Sequence, residues 1–200
     1  MTAKLLVFNK WSAEGITVED PGLQRYITLS PRIVPKTGAK YAGRRFHKSK
    51  IFIVERLINK LGGPGHKSRK HYRTSGRCCG KANMAYNLVV DAFTIIENSL
   101  KENPIKVFVK ALENGAPREE IVTIEYGGAR YPKAVECSPQ RRIDLTLRLF
   151  VQGTYDKCFN KKVSASEALA GEIIASYKMD VKSLAISKKN EVERQADAAR

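Results

Sequence analysis

The stretch Asn103–Arg142, NPIKVFVKALENGAPREEIVTIEYGGARYPKAVECSPQRR, changes its hydrophobic period twice. Asn103 is an N-cap residue, and Pro104 follows at the first helical position, where its missing N–H costs nothing. Ile105, Phe108, Val109 and Leu112 then recur at helical spacing until Gly115 and Pro117 end the helix. From Glu120 to Tyr126 the pattern alternates, Gly127-Gly128 turns, and Arg130–Cys137 runs back, which predicts a β-hairpin. Ser138-Pro139 restarts a helix. No other strand candidate is strong enough to complete a sheet, so the hairpin is expected to stand exposed. Pro132 removes one ladder donor, which a two-stranded ribbon tolerates. A lone hairpin is only marginally stable in water, so a partner is expected to order it.

Working outward, the rest of the chain reads as helices. Phe52, Ile53, Leu57, Ile58 and Leu61 predict a helix over Ser49–Leu61, stopped by Gly62-Gly63-Pro64. Residues 62–82 have no periodicity and read as a basic loop. Asn83–Leu100 is a further helix, and the helix from Ser138 is expected to run to Val151, before Gly153. Ser164-x-x-Glu167 has capping-box spacing and opens another. Ser187–Arg200 reads as a charged helix that is either held by a neighbour or frayed. Residues 1–40 form a leader broken by three prolines, whose Leu5–Phe8, Trp11 and Tyr26–Leu29 are able to pack on the body. The expected fold class is mostly α: one domain over 1–200, a bundle of about six helices, a protruding hairpin at 120–137 and an N-terminal extension.

Charge is distributed unevenly. Residues 41–82 hold twelve Lys/Arg (Arg44, Arg45, Lys48, Lys50, Arg56, Lys60, Lys67, Arg69, Lys70, Arg73, Arg77 and Lys81) and a single acid, Glu55. That is +11 of the chain's +16. A protein core does not neutralise such an excess, whereas a phosphate backbone does. The leader, at +3, reads as a clamp more than a cationic tail. His71 and Tyr72 lie among the cations and are placed to stack on an unpaired base. Arg141 and Arg142, in a first helical turn, oppose the helix dipole. A nearby phosphate compensates them in one reading; in the other they are a mild surface misfit. The hairpin carries Arg130 and Lys133 against Glu125 and Glu136, so it is either a shaped wedge or an ordinary ribbon.

Other chemistries find little support. Cys78, Cys79, His66 and His71 are the candidates for a metal site, but adjacent cysteines do not match the spacing of paired zinc ligands and no second pair exists, so neither a metal nor a cofactor is expected. Cys137 and Cys158 read as small apolar fillers. No nucleophile elbow, phosphate-cradling or metalloprotease motif is present. A basic nuclease is the best enzyme reading, and the expectation is no enzyme. No apolar run reaches membrane-spanning length, and the N-terminal run is too short for a signal peptide, so the cytoplasm is expected.

The stretches AGRRFHKSKIFIVERLINKL, GKANMAYNLVVDAFTIIE, NPIKVFVKALENGAPREE, the Gly-Gly hairpin and SPQRRIDLTLRLF resemble, in that order, the universal small-subunit ribosomal protein seven family, called number five in eukaryotes. The EVERQADAAR ending and the Trp11-Ser12 leader resemble its archaeal and eukaryotic branch, and the insert before Gly80-Lys81 looks archaeal. The resemblance implies a helical bundle with an extended hairpin that binds the 3′ major domain of small-subunit rRNA and nucleates head assembly. It also implies a hairpin beside exit-site tRNA and the mRNA exit channel, with head and platform ribosomal proteins as neighbours. By the same resemblance Arg44, Arg45, Lys48, Lys50, Arg56 and Lys60 match the RNA-facing first helix region. Lys81 matches the glycine-lysine element, Arg118 the turn after the third helix, and Arg141 and Arg142 the Pro-x-Arg-Arg helix start. Ala82 stands where a second basic residue is common, Gln140 replaces a usual leucine, and Cys78-Cys79 is outside the pattern. The competing binding reading is a free RNA chaperone or translational repressor.

Overall fold

Helix α4 (Pro104–Gly115) ends where the period changes, and the chain extends into β3 (Glu119–Tyr126), which pairs antiparallel with β4 (Ala129–Glu136). The computed structural model describes residues 5–32, 34–67, 70–71 and 79–200, with the backbone alone at 66–67 and 70–71. The Asn103 side chain does two jobs. Its Oδ1 accepts from the Ile105 N–H at 3.0 Å, and its Nδ2 donates to the Ser12 carbonyl at 2.7 Å, so the cap of α4 also ties down the leader. Gly127 and Gly128 both have positive φ, +57° and +82°, as a two-residue hairpin turn requires. Pro132 faces Thr123 in the ladder.

The leader is packed on the body. Val7 and Trp11 are buried, and the Trp11 indole N–H donates to Glu97 at 3.0 Å. Asp20 caps the short helix α1 (Pro21–Gln24). Further on, the leader changes the helix it meets. Thr28 bridges Phe52 in parallel and accepts the Ile53 N–H at 3.0 Å, which holds Ile51 and Phe52 extended. The helix read as Ser49–Leu61 is therefore split into a 3₁₀ turn, His47–Lys50, and α2, Ile53–Leu61.

Among its described residues, the predicted loop at 62–82 contains one regular feature, a two-residue antiparallel pairing of β1 (His66–Lys67) with β2 (Lys70–His71). Arg69, Tyr72, Arg73, Arg77 and Cys78 lie outside the described residues, as do the side chains of Lys67, Lys70 and His71. Helix α3 (Ala82–Leu100) follows, then α4, the hairpin and α5 (Pro139–Cys158). The last two helices are α6 (Ala165–Tyr177), with its capping box formed, and α7 (Leu184–Ala198).

One helix is longer than its sequence suggested. α5 does not stop at Val151 but continues through Gly153 to Cys158. The glycine is there for a close approach: a Cβ at 153 would sit 2.6 Å from the Oε1 of Glu172. Glu172 is fully buried on α6, receives the Lys157 ammonium at 2.7 Å, and accepts from the Ser183 hydroxyl and the Leu184 N–H at 3.0 and 3.1 Å. An anion there stabilises the start of α7, whose own N-cap side chain makes no capping bond.

The core runs from Val7 of the leader to Ala185 of α7. Phe93, Phe108 and Phe150, from α3, α4 and α5, are fully buried, with ring centroids 5.8 and 6.5 Å apart in succession. Truncating one such ring to alanine costs about 3–5 kcal/mol. Among the described residues no helix is long and apolar enough to cross a membrane.

Candidate nucleic-acid interface

The exposed cations of the Tyr41–Lys48 segment face the first turns of α5. Between them lies an open groove of about 540 Å³. Arg44, Arg45 and Lys48 line it from one side, and Arg141 and Arg148 from the other. Arg148 lies outside the cations that the sequence pattern singles out. Its signal is the spacing Arg141-x₆-Arg148, two helical turns on one face of α5. Lys60 stands close by: burial, then the nearby Arg148 and Lys48 charges, lower its pKa against the pull of Asp144. Lys50 is exposed on the 3₁₀ turn.

Asp144 organises this face. Its carboxylate takes the Lys48 ammonium on one oxygen and the Arg56 guanidinium, at 2.9 Å, on the other. Burial pushes the Asp144 carboxyl up, but the hydrogen bonds and charges of Lys48 and Arg56 outweigh it and hold it below the usual carboxylate range. Arg56 is 5% exposed and also donates to the Tyr26 carbonyl at 3.3 Å. It is an internal strut joining the leader, α2 and α5, and it is turned away from any outside phosphate.

Arg142 behaves in the same way. It is buried, donating to the Pro117 carbonyl at 3.1 Å and to Asp20 at 2.7 Å. Arg141 is exposed but forked onto Glu120 at 2.5 and 2.7 Å. The compensation that this helix start requires is thus supplied by the protein's own carboxylates. Glu55, the single acid of the basic stretch, is 1% exposed and accepts from the Thr37 N–H and hydroxyl, both at 2.7 Å. It holds the leader and is not available to the exposed Arg44 and Arg45.

The remaining candidates are scattered. Lys81 is exposed at the start of α3. Arg118 is exposed in a second cavity, where Glu19, Asp20 and Glu113 face Lys110, Arg142 and Lys189, away from the groove. Arg130 and Lys133 project from the hairpin, Arg130 lying 3.7 Å from Glu125. Cys137 is buried, and desolvation followed by the nearby Glu120 anion pushes its thiol up to about 11, so it packs as an inert side chain.

The hairpin is anchored at its base. Arg200 reaches Glu119 at 2.5 Å, Glu193 accepts the Arg118 N–H at 2.9 Å, and α7 lies along β3. Its outer half is open to solvent, with Ile124, Tyr126 and Tyr131 exposed.

Comparison with known proteins is consistent along the chain. The profile of the family described as Ribosomal protein S7p/S5e matches residues 23–200. The chain is 51% identical over 197 residues to the small ribosomal subunit protein uS7 of Nanoarchaeum equitans, covering 98% of this chain and 100% of that one. It is 44% identical to uS7 of Methanothrix thermoacetophila over 194 residues, covering 97% and 99%, and 44% identical to that of Archaeoglobus fulgidus over 197 residues, covering 98% and 96%.

Proposed function

The chain belongs to the ribosomal protein S7p/S5e family, and from that premise we propose that it is a structural, non-catalytic constituent of an archaeal small ribosomal subunit in the cytoplasm. In this reading it is a primary binder of the 3′ major domain of the small-subunit rRNA and nucleates assembly of the head. The observation that carries the reading is the groove between the Tyr41–Lys48 segment and α5, where Arg44, Arg45 and Arg148 converge beside Lys48 and Arg141, which already hold Asp144 and Glu120. Phosphates enter between two walls of guanidinium groups, whose planar forks suit paired phosphate oxygens. Duplex RNA buries its base edges in a deep groove, so recognition there is by backbone shape. Arg56 and Arg142 act behind this surface by fixing its walls, while Lys50 and Lys60 extend it; Lys81 and the cations of residues 67–77 are further proposed phosphate contacts.

The hairpin serves a different contact. Its anchored base and solvent-exposed tip, with Tyr126, Arg130, Tyr131 and Lys133, suit it to reach exit-site tRNA and the mRNA exit channel. Neighbouring head and platform proteins cover its apolar side chains.

The test is the salt dependence of binding to a 3′-major-domain rRNA fragment. Contact with about six to ten phosphates predicts a loss of roughly 10³–10⁵ in affinity between 50 and 200 mM salt. A salt-insensitive affinity overturns the reading. Stoichiometric sedimentation with small subunits supports it, and residence in mRNA particles favours a free RNA chaperone or translational repressor.

A further inference from the structure

Phe46 stands in the wall of the cationic groove in a conformation that bulky side chains avoid. Its φ is +66°, in the left-handed region, although Gly43 lies three residues earlier and accepts such a turn without strain. The conformation is locked: the Ser49 hydroxyl donates to the Phe46 carbonyl at 2.7 Å, and the Ser49 N–H donates to the same oxygen at 3.1 Å. The ring is held out of the core, 48% exposed, with the Arg45 guanidinium over it at 5.1 Å. Strain of this kind, spent on exposing an aromatic ring among cations, points to a partner for the ring.

A second observation lies in the same groove. Gln140 lines it, is nine-tenths buried, and has an Oε1 with no hydrogen-bond partner. An orphaned buried acceptor is costly, and a donor in the groove removes that cost once the Gln140 amide turns toward it. A phosphate offers no donor, but a ribose 2′-hydroxyl and the amino group of a base both do.

We propose that the groove takes an unpaired RNA nucleotide, with its base stacked on Phe46, a hydroxyl or amino group donated to Gln140, and its phosphates on Arg44 and Arg148. The inference rests on the RNA-binding reading and sharpens it: the site reads a single-stranded junction as well as a duplex backbone. Base–aromatic stacking is tolerant of sequence because every base has a π-face, so Gln140 is the element that supplies any preference.

The experiment uses the full chain and two RNAs, a junction RNA that contains unpaired nucleotides and a fully paired duplex of equal length. Phe46→Ala lowers affinity for the junction RNA about tenfold, leaves duplex binding unchanged, and leaves the salt slope unchanged because no charge is lost. Phe46→Trp retains junction binding, and its added fluorescence is quenched by the junction RNA. Gln140→Leu weakens junction binding several-fold while raising the melting temperature of the free protein. Equal loss on both RNAs, or no loss with Phe46→Ala and no quenching with Phe46→Trp, overturns the proposal while leaving the RNA-binding reading standing. Failure of the unaltered protein to bind either RNA overturns both.

Discussion

Single residues show how far local chemistry depends on distant partners. Gly153 and Gly171 both lie inside helices, yet a Cβ at 153 meets Glu172 at 2.6 Å while one at 171 meets nothing within 4 Å. Gly171→Ala is therefore expected to stabilise the protein by about 0.5–1 kcal/mol, the usual helix preference. Gly153→Ala is expected to destabilise it by about 1–3 kcal/mol through overpacking against a buried carboxylate. Thermal melts of the two variants check the pair. Asp144→Asn removes the countercharge of buried Arg56 and costs about 2 kcal/mol by urea denaturation. Asp20 and Asp144 are both held below the ordinary carboxylate range: burial raises each, but Arg142 and the Gly22 N–H outweigh it for Asp20, and Lys48 and Arg56 for Asp144. The native state then binds fewer protons than the unfolded one, so their contribution is full above the unfolded pKa, near 4, and lost as pH falls through the lower folded values. The Asp20→Asn/Asp144→Asn double variant should show a flatter loss of stability between about pH 5 and pH 2, measured as urea midpoints across that range.

At the scale of elements, sequence signals with a local cause were reliable. The caps at Asn103 and Ser164, the Gly127-Gly128 turn and the change of period after Gly115 all act within a few residues, and the structure contains each. Where a boundary moved, a distant segment moved it. Thr28 of the leader extends Ile51–Phe52 and shortens α2, and Glu172 of α6 explains a glycine that α5 passes through. The hairpin shows both effects, since its strands are local but its support is α7. Deleting 184–200 should raise amide hydrogen exchange across 119–136 by releasing Glu119 from Arg200 and the Arg118 N–H from Glu193. Trimming Tyr126–Tyr131 should leave the melting temperature and rRNA affinity unchanged, because the tip buries no core side chain. Loss of primary rRNA binding on trimming counts against a separate role for the hairpin.

Over the whole molecule, the decisive property is where charge is left uncompensated. Removing Arg44, Arg45 and Arg148 together by alanine substitution should reduce the salt slope of rRNA binding by about two to three, at roughly 0.7–0.9 per phosphate contact. Changing Lys101, Lys106 and Lys182, which lie outside the groove, should leave it unaltered. Composition alone located the cations, because a net of +11 over residues 41–82 needs no fold to be counted. It did not sort them. Arg44 and Arg56 look alike in sequence, but one lines an open groove and the other is 5% exposed against Asp144. Arg148, outside the basic stretch, joins the site because α5 brings it to the face of Arg141. The mostly helical class, the hairpin and the polyanion-binding character were thus determined by the sequence, since periodicity, capping and net charge are local or additive. Which arginines face outward, why Gly153 sits mid-helix and how Phe46 and Gln140 come to share a groove were decided only by tertiary structure. Burial and ion pairing depend on residues brought together from far along the chain, and no local pattern records them.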